Sequence, residues 1–449
     1  MGGSGLTERT QPPLEVWAGF ECTRVRVRGR SIDQVELTGH GSRAEDLQLL
    51  PWLGAKAVRY PVLWERIARR GLDTADWQWT DERLEILRQK GIRPVVGLLH
   101  HGGGPRGMSM TNPAFPQAFA RFARGVAQRY PWIDTYLPIN EPLTTARFAG
   151  LYGFWHPHAK SEATFAKLLV AQALAIRMAI TAIREVRPDA RLIVNEDMGR
   201  TFATPELAHV ANFANSRRWL TWDLLMGHVR KGHPMWNALA VDGEARANLV
   251  DLASKPSPPD VLGVDHYITS DRYLDHRVDL FPSELRPRRN QPAYVDVEAV
   301  RVAGMPENGV ARAIADTWER YGRPLALTEV ALAGDPADQA AWWSEAWFAA
   351  QEASMRGVDI RAVTAWAVVG ATGWDALLCR RTGRYEPGYF DTRTMPARAR
   401  PAAHAVRAAA ALADRVAPPE VSANPGRRQR TGWWRRSDRF LWEGGTEAA

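Results

Sequence analysis

The stretch YLPINEPL, Tyr136–Leu143, runs from a short apolar segment into an Asn-Glu pair followed by a proline. A near-continuous apolar run of this length fits a strand covered on both faces, the property of a parallel sheet flanked by helices. The ionisable pair then stands where such a strand leaves the protein core. Seven other segments have the same character: LEVWAGF (14–20), KAVRYPV (56–62), RPVVGLL (93–99), RLIVN (191–195), DVLGVDHY (260–267), PLALTE (324–329) and AVTAWAV (362–368), with TYLPIN (135–140) making the eighth. Each is followed by a loop and then by a longer stretch with helical periodicity.

Eight alternating strand–helix units, with no Gly-x-Gly-x-x-Gly turn after the first, predict an α/β chain folded as one TIM (β/α)8 barrel over residues 14–415, in preference to a doubly wound sheet. The punctuation of the helices agrees. TDERLEILRQKG (80–91) reads as a helix that starts at Thr80, turns Leu84 and Leu87 to the core and stops at Gly91; SEATFAKLLVAQALAIRMAITAIREVRPDA (161–190) reads as a long one ended by Pro188. Residues 1–13 are expected to be a flexible N-terminal segment and 416–449 an Arg/Trp-rich tail, whose tryptophans are candidates to fold against the barrel.

The bulk composition narrows the function classes. With 58 basic and 50 acidic residues the net charge is +8, and the two signs are mixed along the chain except in GRRQRTGWWRRSDR near the C-terminus. Such an excess is weak evidence for a nucleic-acid partner, and none is expected. Cys22 and Cys379 are the only cysteines, too few and too far apart for a disulfide scaffold or a zinc site, so no metal or other cofactor is expected. The first dozen residues lack an apolar stretch of signal-peptide length, and the most apolar region, 168–180, is interrupted by Gln172 and Arg177. A cytoplasmic protein with no membrane partner is the expectation.

In a barrel of this kind the chemistry lies at the C-terminal ends of the strands. The residues there are Glu21, Arg59, His100 and His101, Asn140 and Glu141, Asn195 and Glu196, His266 and Tyr267, Glu329, and Trp366. Any one of them could simply begin a loop. Jointly they place carboxylates after the fourth and seventh strands, across the mouth from each other. Two opposed carboxyl groups are what glycosidic bond cleavage requires, one to protonate the leaving oxygen and the other to attack or stabilise the developing cationic carbon. Among 19 tryptophans, Trp64, Trp155, Trp366 and Trp374 fall at strand ends or mouth loops and are expected to offer faces to a sugar. Arg147, Arg200 and Arg381 fall near the same loops and would suit an acidic substrate.

At this point the residues resemble a family. LPINEP is similar to the Thr-x-Asn-Glu-Pro signature of family one of the glycoside hydrolases, the retaining β-glycosidases, with Pro138 at the Thr position. VRYPVLWERI, GIRPVVGLLHH, DVLGVDHYITS and PLALTEV resemble four more of its segments, in order. The resemblance implies Glu141 as general acid/base with Asn140 beside it on the sugar 2-hydroxyl. It implies Glu329 as nucleophile held by Arg59 and Tyr267, His100 on a glycone hydroxyl, Trp366 as sugar platform and Trp374 as a second wall. Besides Pro138, the chain departs from the family pattern elsewhere: TEVA lacks the Asn-Gly that follows the family's nucleophile, His101 stands for its Trp, Asp265 for its Asn, Glu21 for its Gln, and Gly373 for the Glu that grips the distal glycone hydroxyls. Hydrolysis of O-glycosidic bonds by double displacement, on a carbohydrate substrate with an altered glycone, is the expected function. The alternatives are a transglycosidase acting on an unusual or nucleotide-linked sugar, and a non-catalytic carbohydrate-binding barrel.

Overall fold

A computed structural model describes residues 12–287, 292–306, 308–414 and 432–435. Eight parallel strands close into a barrel in sequence order: β1 (Glu15–Gly19), β2 (Ala57–Pro61), β3 (Arg93–His100), β4 (Thr135–Asn140), β5 (Arg191–Asp197), β6 (Val261–Asp265), β7 (Leu325–Val330) and β8 (Ile360–Ala365). Each expected strand is present within a few residues. The sixth and eighth differ in a way that matters: β6 ends at Asp265 and β8 at Ala365, so Tyr267 and Trp366 lie beyond their strands on the mouth.

Period-2 alternation explains how one strand serves both core and site. Trp17, Ala57, Val95, Leu137, Ile193, Ala326 and Ala362, one from each strand except β6, form a buried cluster inside the barrel, with Val261 of β6 against it. Two residues further on, Ala57 gives way to Arg59, Ile193 to Asn195 and Ala326 to Thr328. The barrel interior is therefore dry at one end and polar at the other. On its outside the helices pack into one large core.

The helix expected at Thr80 starts earlier, at Gln78, with Trp77 at its N-cap and Asp76 before it accepting the Gln78 N–H at 3.1 Å. Helix Glu162–Arg184 begins at Ser161, whose hydroxyl accepts from Thr164 N–H. It is long and apolar enough to cross a membrane, yet 67% of its most apolar stretch is buried inside the protein. Gln172, read from the sequence as an interruption, is itself buried and donates to the Pro142 carbonyl at 3.0 Å, just beyond Glu141.

Two excursions build the mouth. Arg272–Asp275 pairs antiparallel with Val295–Glu298 and parallel with Thr201–Ala203, giving a three-stranded sheet with a small core of Tyr273, Phe281, Val295, Val297 and Val302. Of the C-terminal tail, the described Gly432–Arg435 lies against helix Pro336–Met355. Trp434 packs edge-on to Trp342 at 5.8 Å and donates to Glu345 at 2.8 Å, while Arg301 of the mouth excursion sits 4.6 Å over the Trp433 ring. Trp442 and the rest of the tail lie outside the described residues, as do residues 1–11.

The close of β1 depends on a missing side chain. A Cβ at Gly19 would come within 2.4 Å of the Trp366 ring. Gly19→Ala is expected to destabilise the protein by about 1–3 kcal/mol, the usual cost of overpacking, read as a lower denaturant midpoint at unchanged slope.

Candidate active site

The polar end of the barrel opens into a cleft of about 1460 Å³ whose lining includes Glu21, His100, His101, Glu141, Tyr267, Glu329, Trp366 and Trp374. At its floor stands Arg59, 5% exposed. One Arg59 nitrogen, Nη1, donates to Glu329 Oε1 and to the Thr328 carbonyl, both at 2.8 Å, and the other, Nη2, donates to Asn140 Oδ1 at 2.5 Å. Its guanidinium carbon lies 4.3 Å over the Trp366 ring. The second Glu329 oxygen accepts the Tyr267 hydroxyl at 2.5 Å. Burial and the adjacent Glu329 push the Tyr267 phenol well above its ordinary range, so it keeps the proton it donates.

Local backbone irregularity brings these groups to face one another. A shift of register between Leu327 and Glu329 against β6 lets two successive residues serve the site: the Thr328 hydroxyl donates to Asp265 at 2.5 Å while Glu329 meets Arg59. Glu141 has φ +40°, His101 +60° and Ala367 +55°. Left-handed backbone at a residue with a Cβ costs on the order of 1–3 kcal/mol and persists only where the surroundings enforce it. At Glu141 the enforcement is visible: Asn195 accepts its N–H at 3.3 Å, and the next helix starts on Pro142. Glu196, wholly buried behind the site, accepts the Leu143 N–H and the Thr221 hydroxyl, each at 2.5 Å.

Glu141 and Glu329 differ sharply in surroundings. One oxygen from each, and one from Asp265, lie within 4.8 Å of one another. Glu329 accepts from a cation and a hydroxyl, whereas the nearest described basic partner of Glu141 is His101 Nε2 at 3.6 Å. Burial, and then the negative charge of Glu329, hold the Glu141 carboxyl well above its usual range. His101 is pushed down to about 3 by burial and the Arg59 charge, so it is neutral. Its Nδ1 lies 2.8 Å from the Thr145 hydroxyl and its Nε2 faces the Asn140 amide nitrogen at 3.3 Å. With Nε2 accepting from that amide, Nδ1 carries the proton.

Asp265 is fully buried, and burial followed by the Glu329 charge raises its carboxyl far above normal. Asn195 donates to its other oxygen and also to Asn140 Oδ1 at 2.8 Å. Glu21 is raised to about 7 by burial, against its hydrogen bond from Thr23. Three carboxylate oxygens this close could hold a cation, but Arg59 already supplies the positive charge among them. His100 lies parallel to Trp366 with centroids 5.5 Å apart, and its Nδ1 is 3.4 Å from Cys22 Sγ.

Of the residues singled out from the strand ends and the resemblance, the site gathers Glu21, Arg59, His100, His101, Asn140, Glu141, Asn195, Asp265, Tyr267, Glu329, Trp366 and Trp374; Glu196 stands behind it, and buried His266 faces Asp271 with Nε2 3.6 Å from its carboxylate. Two aromatic expectations fail. Trp64 is buried among Phe115, Phe119 and Phe122, and Trp155, 1% exposed, donates to the Leu377 carbonyl behind His101. Both serve packing because their loops fold inward. Of the three arginines, only Arg147 lines the cleft. Gly373 has φ +80° and supplies no side chain, while Glu386, on the strand paired with Ala371–Thr372, lines the cleft beside it. Cys22 and Glu386 carried no motif that would mark them.

Comparison with known proteins gives a consistent picture. The model of glycosyl hydrolase family 1 matches residues 13–279, a span that holds Glu141 and Arg59 but stops short of Glu329. Beta-glucosidase A of Thermotoga maritima is 24% identical over 152 residues, 32% of this chain and 34% of that protein. Thermostable beta-glucosidase B of Thermobispora bispora is 24% identical over 280 residues, 56% and 54%. The first of these alignments spans about a third of the relative's length. Among solved structures, the Thermotoga maritima beta-glucosidase in complex with noeuromycin superposes with a TM-score of 0.69 at 16% identity, covering 89% of this chain and 97% of that one. At that identity the likeness concerns the fold.

Two outcomes follow from the buried acids. Glu196 is raised to about 8, mainly by burial. An unfolded Glu releases its proton near 4.3 and the folded one only near 8, so stability is greatest below that window and falls as pH rises through it, by up to about 1.4 kcal/mol per unit. Glu196→Gln should flatten that part of the stability–pH curve in urea titrations. Asp265→Asn replaces an acid whose raised carboxyl keeps its proton near neutrality by an amide of the same shape, so the alkaline limb of kcat/KM should stay in place, and a move of that limb to lower pH would show a charged Asp265 beside Glu141.

Proposed function

Because the chain belongs to glycosyl hydrolase family 1, we propose that it cleaves β-linked glycosides with retention of configuration through a covalent glycosyl-enzyme. The observation that carries the reading is the opposed pair Glu141 and Glu329, oxygens within 4.8 Å, one held by a guanidinium and a hydroxyl and the other short of donors. Retaining enzymes need their two carboxyl groups about 5–5.5 Å apart, while inverting ones leave about 6.5–9.5 Å for a water.

In the first step Glu329 attacks the anomeric carbon as protonated Glu141 gives its proton to the leaving oxygen, and the aglycone departs. Glu141, now a carboxylate, takes a proton from water, whose oxygen attacks the anomeric carbon and releases Glu329. Neutralising Glu329 by the bond to sugar removes the main charge that keeps the Glu141 proton bound, so the acid of the first step becomes the base of the second. Neutral His101 adds no competing charge. Tyr267 and Arg59 keep the attacking oxygen aimed.

The glycone is proposed to differ from that of the β-glucosidases it resembles. Gly373 leaves the distal wall without a carboxylate, and Glu386 offers one from the adjacent strand, half-buried, with its pKa raised by burial against the pull of Arg384.

A panel of nitrophenyl glycosides identifies the glycone, and a 2-fluoro sugar of that glycone is expected to label Glu329 covalently. Glu329→Gly should lose at least 10³-fold in kcat. Glu141→Ala should lose as much on poor leaving groups while keeping most activity on dinitrophenyl glycosides. Unlabelled Glu329 after turnover-dependent inactivation, or an undiminished Glu329→Gly enzyme, removes the assignment.

A further inference from the structure

Two arginines in the cleft differ from their neighbours. Arg218, Arg272 and Arg286, which also line it, pair with Asp316 at 2.5 Å, Asp296 at 2.8 Å and Asp279 at 3.5 Å respectively. Arg147 and Arg217 form no ion pair with a described carboxylate. Their surroundings are aromatic instead: Arg147 lies 5.9 Å from the Tyr152 ring, and Arg217 5.9 and 5.8 Å from Phe165 and Phe213. Arg147 Nε is buried with no hydrogen-bond partner. Burial, reinforced by the like charge of Arg147, lowers the Arg217 pKa against the opposing pull of Tyr152 and Glu162.

Arg147 is placed by the helix that Glu141 begins, and Arg217, the last residue of helix Ala208–Arg217, meets it at Tyr152, whose ring Arg147 faces and to whose hydroxyl Arg217 is hydrogen-bonded. Glu141, Thr144, Arg147, Phe148 and Leu151 all reach the cleft, and from Arg147 to Leu151 the turns widen to π-helix. Single π turns are concentrated at functional sites. The two arginines therefore sit on the acid/base side of the cleft, where the leaving group departs. Arg217 feels the like charge of Arg147, while Tyr152, Asp197, Glu196 and Glu141 keep Arg147 charged without pairing with it; the guanidinium fork left open matches a carboxylate or a phosphate through paired N–H···O bonds.

We propose that Arg147 and Arg217 form a binding site for an anionic group, a carboxylate or a phosphate, carried on the aglycone of the substrate. The aglycone placement rests on the reaction proposed above; the anion site does not. Calorimetric titration of the full chain with phenylphosphonate, benzoate and benzamide at low salt needs no turnover. One of the two anions should bind at least tenfold tighter than the neutral amide. Arg147→Gln and Arg217→Gln should each erase most of that preference, and Arg147→Lys should keep part of it, since charge remains while the fork is lost. Tighter phosphonate identifies a phosphate-bearing aglycone and tighter benzoate a carboxylate-bearing one. Benzamide bound as well as both anions, or a preference untouched in both glutamine variants, overturns the site. For the placement, aryl glycosides bearing a para carboxylate or carboxamide are compared on the glycone that the enzyme cleaves. The acid-to-amide ratio of kcat/KM should fall about tenfold in each glutamine variant, and an unchanged ratio rejects the aglycone assignment. Anion binding in a protein that hydrolyses no glycoside would retain the site and reject the reaction.

Discussion

The ion pair between Arg59 and Glu329 is the constraint on which the site depends. A charge taken out of water must be matched closely, and removing one partner of a buried pair costs on the order of 3–5 kcal/mol. Arg59 on β2 meets this by reaching across the barrel to β7, to Asn140 at the end of β4 and to Trp366 beyond β8. One guanidinium thereby sets the relative position of four strand ends. The barrel supplies rigidity beneath them, and the charge supplies the reason for them to meet.

That single cation faces four buried acids, Glu21, Glu141, Asp265 and Glu329. It cannot stabilise four anions, so protons distribute by environment. Glu329 takes the two strongest donors, and the other three have their carboxyls raised. Asp265 illustrates the result: the Thr328 hydroxyl and the Asn195 amide on its two oxygens favour its charged form, but burial and the Glu329 charge outweigh them. An acid can occupy a place where the family pattern has an amide because the crowding of charge keeps its proton on.

Much of this was legible in the chain itself. Apolar runs alternating with helical periods gave the strand order, the barrel rule then put Glu141 opposite Glu329, and the family resemblance set Arg59 against Glu329. What stayed hidden depends on the backbone leaving its regular path. Nothing in the residue types marks the positive φ at Glu141 or His101, or the irregular register before Glu329, and these decide that neighbouring residues can both face the cleft. Trp64 and Trp155 look like mouth aromatics by position but are buried because their loops turn inward. Arg147 could be flagged by its proximity to strand four, whereas Arg217 becomes its neighbour only through the folding of the segment after β5.

The small piece of tail that rests on helix Pro336–Met355 reaches further than its four described residues suggest. Trp434 touches Trp342, Trp342 lies 6.4 Å from the His266 ring, and His266 precedes the tyrosine that steadies Glu329. Trp433 meanwhile braces Arg301 on the mouth excursion. A chain cut after residue 414 would keep every acid and base of the site yet lose the outer buttress of the wall that aligns them, making this part of the tail a support for chemistry at the centre of the barrel.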